Sequence, residues 1–315
     1  MNAVTTKYHV KKIVQQAYDS NVFMRRMVEG GRVKVVSGGL KLFHPIRYKQ
    51  LGTAAFIDPD SARVVENIET RTALELDWTY MVGNLSMTWS EKVKNRGDSA
   101  IIKLMDDKVT EIKEDVYQQF ATVLYQAQAS KTSLQIDGLY QIIQDPSTAT
   151  TYAGISGGTG GDAANWKAGF YDSSTTSLAL FGSTGSLEYA IRSCSFGGSN
   201  PNLFVTTRKM AGIYASKLQP SERRQPGNGK SGAGHDTLAF MGVPILVDPQ
   251  VSTGDWFCLN TDHLWMYVQS GYNFTPKGWE EDPERYYTDV NMLSWVGNMV
   301  CDLRRTQGAF SALTS

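Results

Sequence analysis

Cysteine is scarce in this chain and scattered: Cys194, Cys258 and Cys301 are the three, and no two form a C-x-x-C pair. That spacing excludes a disulfide framework or a zinc ribbon and predicts reduced, buried thiols in a cytosolic product. Histidine is equally sparse. His9, His44, His235 and His263 stand alone, none four residues from another ligand, so no metal site is expected. Net charge is absent too, with 31 basic and 31 acidic side chains, and no global basic field advertises nucleic acid. Long apolar runs are missing. The opening "MNAVTTKYHVKKIVQQAYDS" lacks the core of a signal peptide, and no segment approaches a membrane span, so a chain kept in the cytoplasm and away from membranes is expected. No internal repeat or low-complexity linker divides its 315 residues.

What is present is a core-forming composition, 41% hydrophobic and 11% aromatic, which rules out wholesale disorder. The charge is unevenly spread. Residues 1–50 carry ten basic and two acidic side chains, and residues 51–125 carry eight basic and thirteen acidic. Such halves make complementary surfaces, within one chain or between copies. The first thirty residues set Ile13, Val14, Ala17, Val22 and Met24 among charges and stop at Gly30-Gly31. They predict a short helix and an extended arm. Short apolar runs broken by Gly38-Gly39, Pro45 and Gly52 then read as strands and turns.

From Thr72 the pattern alternates. Leu74, Leu76, Trp78 and Tyr80 share one face, and Leu85, Met87 and Trp89 resume the two-residue period after Gly83. These strands predict a projecting hairpin, which needs a partner surface because an isolated hairpin is marginal in water. Next comes the strongest helical signal. Ile101, Met105, Val109, Ile112, Val116, Phe120, Val123 and Ala127 recur at steps of three and four, with Asn95, Asp98 or Ser99 as the N-cap. Such a helix would run ~40 Å across a surface as a spine. Beyond a glycine-rich connection, helices are expected from Ser186 to Ser193 and Arg208 to Leu218, and strands at "NLFVTT", "AFMGVPILVDP" and "GDWFCLNTDHLWMYVQS". A long C-terminal strand region ends in a basic turn. The class is α+β.

Two motifs invite catalytic readings. "RRQPGNGKSGAGHD" at 223–236 contains G-x-G-x-x-G at Gly227, Gly229 and Gly232, and its Gly229-Lys230-Ser231 is the tail of a phosphate-binding loop. The glycine that such a loop requires is replaced by Arg224, Pro220 and Pro226 interrupt the approach, and no helix follows. Gly154-Ile155-Ser156-Gly157-Gly158 matches the nucleophile elbow, but Thr159-Gly160-Gly161 follows where a helix must begin. Both predict flexible turns. The acidic run Glu280, Glu281, Asp282 and Glu284 reads as a solvated turn, since calcium-loop spacing is missing.

Taken in order, the elements resemble those of the major capsid proteins of tailed double-stranded DNA phages, the Hong Kong 97 type fold. "LELDWTYMVGNLSMTWSEKVKN" is similar to the return strand of that family's extended E-loop. "DGLYQII", "TYAGI" and "NWKAGFYD" resemble the stretch after its spine helix, and "PNLFVTTRKMAGIYA" its strand-then-helix step into the axial domain. "FMGVPILVDP", with Gly242, Pro244, Ile245 and Asp248, is similar to its G-x-P strand pair, and "NMVCDLRRTQGAFSAL" to its closing strand. The resemblance implies an arm at 1–31, an E-loop hairpin with flanking strands at 32–94, the spine helix and P-domain at 95–137, mostly A-domain at 138–268, and P-domain return strands at 269–315.

It also implies a non-enzymatic shell protein without cofactor, forming hexamers and pentamers around a genome. A separate scaffolding protein, a portal, decoration proteins and nonspecific contact with packaged DNA are the expected partners. The virion is the expected location, after assembly in the host cytoplasm. Candidate inter-subunit residues are Lys11, Lys12, Arg25 and Arg26 of the arm, with Lys7 beside them. Lys41 and Lys49 lie in the extended loop, where some relatives crosslink a lysine, and Arg223, Arg224 and Lys230 lie in a loop near the capsomer axis. The alternatives are a nanocompartment shell of the encapsulin kind and, more distantly, a cytosolic nucleotide-binding enzyme.

Overall fold

The computed structural model describes residues 21–47, 53–54, 56, 69–94, 108, 111–112, 114–116, 118–143, 151–156, 166–172, 177–182, 185–218, 238–285, 287–311 and 313. Helix α1 (Val22–Glu29) opens them. The Asn21 side chain accepts from the Met24 amide at 3.0 Å, capping it, and Gly31 turns the chain out with a φ of 66°. Phe23, Met24 and Met27 lie on one face and are buried against later strands.

Strands β1 (Val33–Val36), β2 (Leu42–Arg47), β3 (Arg71–Leu76) and β4 (Thr79–Thr88) follow. β2 and β3 form an antiparallel pair by themselves, from Leu42 opposite Leu76 to Arg47 opposite Arg71. Leu42, His44 and Ile46 point inward, and Phe43, Pro45 and Arg47 outward. The expected single alternation from Leu74 to Tyr80 does not hold. Leu74, Leu76 and Trp78 are buried as expected, but the phase slips between Trp78 and Thr79, so Thr79 is buried and Tyr80 exposed. The cause is a change of partner: β4 leaves the hairpin and pairs with the distant β14 (Thr288–Cys301) over ten residues. Trp89 also leaves the strand period, starting the short helix α2 (Trp89–Lys94).

The expected spine is helical at 108, 111–112, 114–116 and 118–124. Ile112, Val116 and Phe120 are buried as the stripe requires, whereas Ala127 is exposed beyond the helix end. Ile101, Met105, Val109 and the cap candidates lie outside the described residues. The helix lies across the sheet that contains β4. A Cβ at Gly83 would sit 3.0 Å from Val116 Cγ2 and 3.1 Å from Ile112 Cδ1, so only glycine admits this approach without displacing them. Its C-terminal end rests on Gly138, where a Cβ would lie 2.6 Å from the carbonyl oxygens of Val123 and Leu124.

After α3 (Leu139–Ile143), β5 (Thr151–Tyr152) and β6 (Ile155–Ser156) form a tight hairpin whose turn, Ala153-Gly154, has φ of 51° and 82°. Ser156 therefore ends the second strand of this hairpin, and the rest of the elbow motif, 157–161, lies outside the described residues. Next come β7 (Gly169–Asp172), α4 (Leu187–Cys194, capped by Ser186), β8 (Leu203–Thr206) and α5 (Arg208–Lys217, capped by Thr207). β9 (Ala239–Phe240), β10 (Val243–Val247), β11 (Trp256–Leu259), β12 (Leu264–Gln269) and β13 (Thr275–Glu281) precede β14, and β15 (Gly308–Ser311) ends the series.

Two principal sheets result. In the first, β14 pairs with β4 along one edge and with β13 and then β12 along the other, and β1 adds in parallel to β12. The second runs β7-β15-β11-β8-β10-β9. β8 and β11 are buried on both faces, as their apolar runs require. Val205, Phe257 and Leu259 face the core shared with the spine helix, while Phe204, Trp256 and Cys258 face a second core with α4 and α5. The segment 269–315 therefore divides, because the apolar "GAFS" of β15 is inserted between β11 and β7 rather than beside β14. All three cysteines are free and buried.

Candidate interaction surfaces

Two described elements present the sequence-selected basic residues. Arg25 and Arg26 lie on α1, where Arg25 Nε donates to Glu29 Oε1 at 3.1 Å, an i,i+4 pair that orients the guanidinium along the helix. Arg26 is exposed. Lys41 lies at the root of the β2–β3 hairpin, its Nζ 3.5 Å from Glu75 Oε2 across the strand pair. These two groups sit on different elements and form no single cluster. Lys7, Lys11, Lys12, Lys49, Arg223, Arg224 and Lys230, with the whole glycine-rich loop at 223–236, lie outside the described residues.

The structure adds apolar surface that sequence reasoning did not select. Phe43 projects from the outer face of the hairpin at 59% exposure, and Tyr80 and Val82 from β4 at 69% and 51%. Trp89 and Tyr287 pair at 6.1 Å between ring centres, both exposed. Alternation in β2 contained the signal for Phe43, since Leu42, His44 and Ile46 claim the buried side. Acidic groups offer a complement. Glu111, Glu114 and Asp115 are exposed on the spine helix, and Glu280 and Glu281 end β13 beside an exposed turn in which Asp282 accepts from the Glu284 amide at 2.9 Å.

Two of the four isolated histidines converge in space. His44 of β2 places Nδ1 2.7 Å from the Tyr267 hydroxyl and Nε2 4.0 Å from Asp302 Oδ2. His263 places Nδ1 2.8 Å from Asp302 Oδ1 and Nε2 3.2 Å from Ser199 Oγ. The second Asp302 oxygen accepts from Trp265 Nε1 at 3.3 Å, and Lys34 Nζ lies 3.8 Å above the Trp265 ring. Burial holds His44 below the usual histidine value; Asp302 opposes that effect and Lys34 adds to it. No local motif signals this network, because His44, Ser199, His263 and Asp302 are separated by tens to hundreds of residues. Among the described residues, no helix is long and apolar enough to cross a membrane.

No protein-family model and no curated protein matches the sequence. Solved structures do. A capsid protein of cyanophage A-1(L) matches at 16% identity and a TM-score of 0.63, covering 89% of this chain and 90% of that one. The capsid of a native GTA particle matches at 9% identity and 0.61, covering 91% and 90%. The SrpI encapsulin of Synechococcus elongatus matches at 10% identity and 0.57, covering 92% and 87%. Nearly complete coverage in both directions shows that this chain has the α+β Hong Kong 97 type capsid fold.

Proposed function

We propose that this chain is the major capsid protein of a tailed double-stranded DNA phage, self-assembling into hexamers and pentamers that close into a head. The observation that carries this reading is fold agreement over about nine-tenths of both chains with phage capsid proteins. The exposed Phe43, Tyr80 and Val82 supply apolar surface of the kind that heterologous contacts between identical subunits bury. Scaffolding, portal and decoration proteins are its partners, the virion its location and the host cytoplasm its place of assembly. Its contact with packaged DNA is nonspecific. The basic arm docks on acidic surface of a neighbour, with the exposed spine-helix carboxylates as the partner.

Electron microscopy of the expressed chain, alone and with a scaffolding partner, tests the reading. Capsomers or closed shells support it, and a compact monomer at all concentrations overturns it. The encapsulin match favours a second reading, a nanocompartment shell, which shells filled with a cargo protein rather than DNA would select.

A further inference from the structure

We propose that Ser199, His263 and Asp302 form a nucleophilic serine site for small activated acyl or phosphonyl groups. The inference is independent of the shell reading. Its backbone is fixed by ordinary turns. Phe196 and Ser199 exchange both amide-to-carbonyl hydrogen bonds at 2.9 Å, closing a two-residue turn on Gly197 and Gly198, whose φ are 57° and 90°. His263 ends a 3-10 turn, Thr261–His263, and its carbonyl accepts from the Asp302 amide at 3.1 Å.

These turns bring a hydroxyl, an imidazole and a carboxylate into line. The 2.8 Å contact between Nδ1 of His263 and Asp302 Oδ1 is the one that a ring proton on Nδ1 satisfies. The lone pair on Nε2 then faces the Ser199 hydroxyl at 3.2 Å, the arrangement of a serine activated by an oriented general base. Trp265 holds the other Asp302 oxygen, so the carboxylate cannot swing away. Ser199, His263 and Asp302 are each only partly buried, and water can satisfy each of them. The turn beside Ser199 is open at its glycines: a Cβ at Gly197 or Gly198 would meet nothing within 4 Å. The turn's own hydrogen bonds do not use the Gly197 and Gly198 amides, which are donors in the same turn as Ser199.

For an activated ester, Ser199 Oγ bonds to the carbonyl carbon while its proton passes to His263 Nε2. The carbonyl π pair moves onto oxygen. Collapse of that oxyanion breaks the bond to the leaving alcohol, which takes the proton from Nε2. Water then cleaves the acyl-serine by the same route. Ser199 and His263 are the catalytic residues, and Asp302 is a positioning residue.

The test treats the purified full-length chain with a fluorophosphonate probe and maps the adduct by peptide mass spectrometry. Labelling is expected at Ser199 and not at Ser156, which has no imidazole partner among the described residues. Ser199→Ala, at an open turn, abolishes the adduct with an unchanged circular dichroism spectrum. His263→Gln slows labelling by on the order of 100-fold. Asp302→Asn slows it as well. No adduct at Ser199, or an adduct formed equally fast in His263→Gln, overturns the proposal.

Discussion

Gly138 and Gly212 are both glycines in a folded chain, yet alanine is expected to act oppositely at the two positions. At Gly138 a Cβ meets two backbone carbonyl oxygens at 2.6 Å, and backbone cannot yield as a flexible side chain can. Gly138→Ala should lower the unfolding free energy of the unassembled chain by about 3 kcal/mol, the upper part of the overpacking range. Gly212 lies inside α5, where a Cβ meets nothing within 4 Å. Gly212→Ala should raise stability by up to about 1 kcal/mol through helix propensity alone. Urea denaturation of the two variants checks both signs. His44 carries a pH dependence. Its folded value is depressed chiefly by burial, so the unfolded chain binds the proton first, and stability falls as pH drops below 6.5. Asp302 and Lys34 face it with opposing effects, and Tyr267 is its hydrogen-bond partner. His44→Asn should flatten that acid decline in a denaturation series across pH.

At the scale of elements, local period was legible and partnership was not. Asn21, Ser186 and Thr207 cap α1, α4 and α5, and the last two helices were read almost to the residue. The stripe at Ile112, Val116 and Phe120 likewise predicted its buried face. β3 and β4 were merged because a two-residue period carries no record of which strand lies alongside. The slip between Trp78 and Thr79 arises from β14, more than two hundred residues away. The same limit hid the network of His44, Ser199, His263 and Asp302, since only tertiary pairing brings them together. The hairpin supplies a test of assembly. Phe43→Ser should leave subunit stability within ~0.5 kcal/mol, because the ring is already exposed. It should raise the concentration needed for assembly, measured by light scattering or sedimentation. Reversing the charges of Arg25 and Arg26 should weaken assembly and its dependence on salt. Unchanged assembly and salt dependence after the Arg25 and Arg26 reversal would remove arm docking from the proposal.

At the scale of the whole molecule, the two cores share one wall. Phe204 of β8 and Phe257 of β11 point to opposite sides of the same sheet, and β8 and β11 are hydrogen-bonded neighbours. Phe204→Ala and Phe257→Ala should each cost about 3–5 kcal/mol, the usual loss for a buried phenylalanine. Both should move a single thermal transition, and calorimetry showing two independent transitions would separate the cores. The order of elements made the fold legible from sequence, but the placement of β15 in this wall was not, because "GAFS" carries no mark of either sheet.

The ten-residue pairing of β4 with β14 also gives the subunit a mechanical axis. Its hydrogen bonds run across the strands, so tension along β14 loads them together in shear, whereas tension across the sheet opens them in turn like a zipper. The subunit is accordingly expected to be stiffer along β14 than at right angles to it. In a head stretched by its contents, the orientation of that strand would decide which subunit contacts yield first.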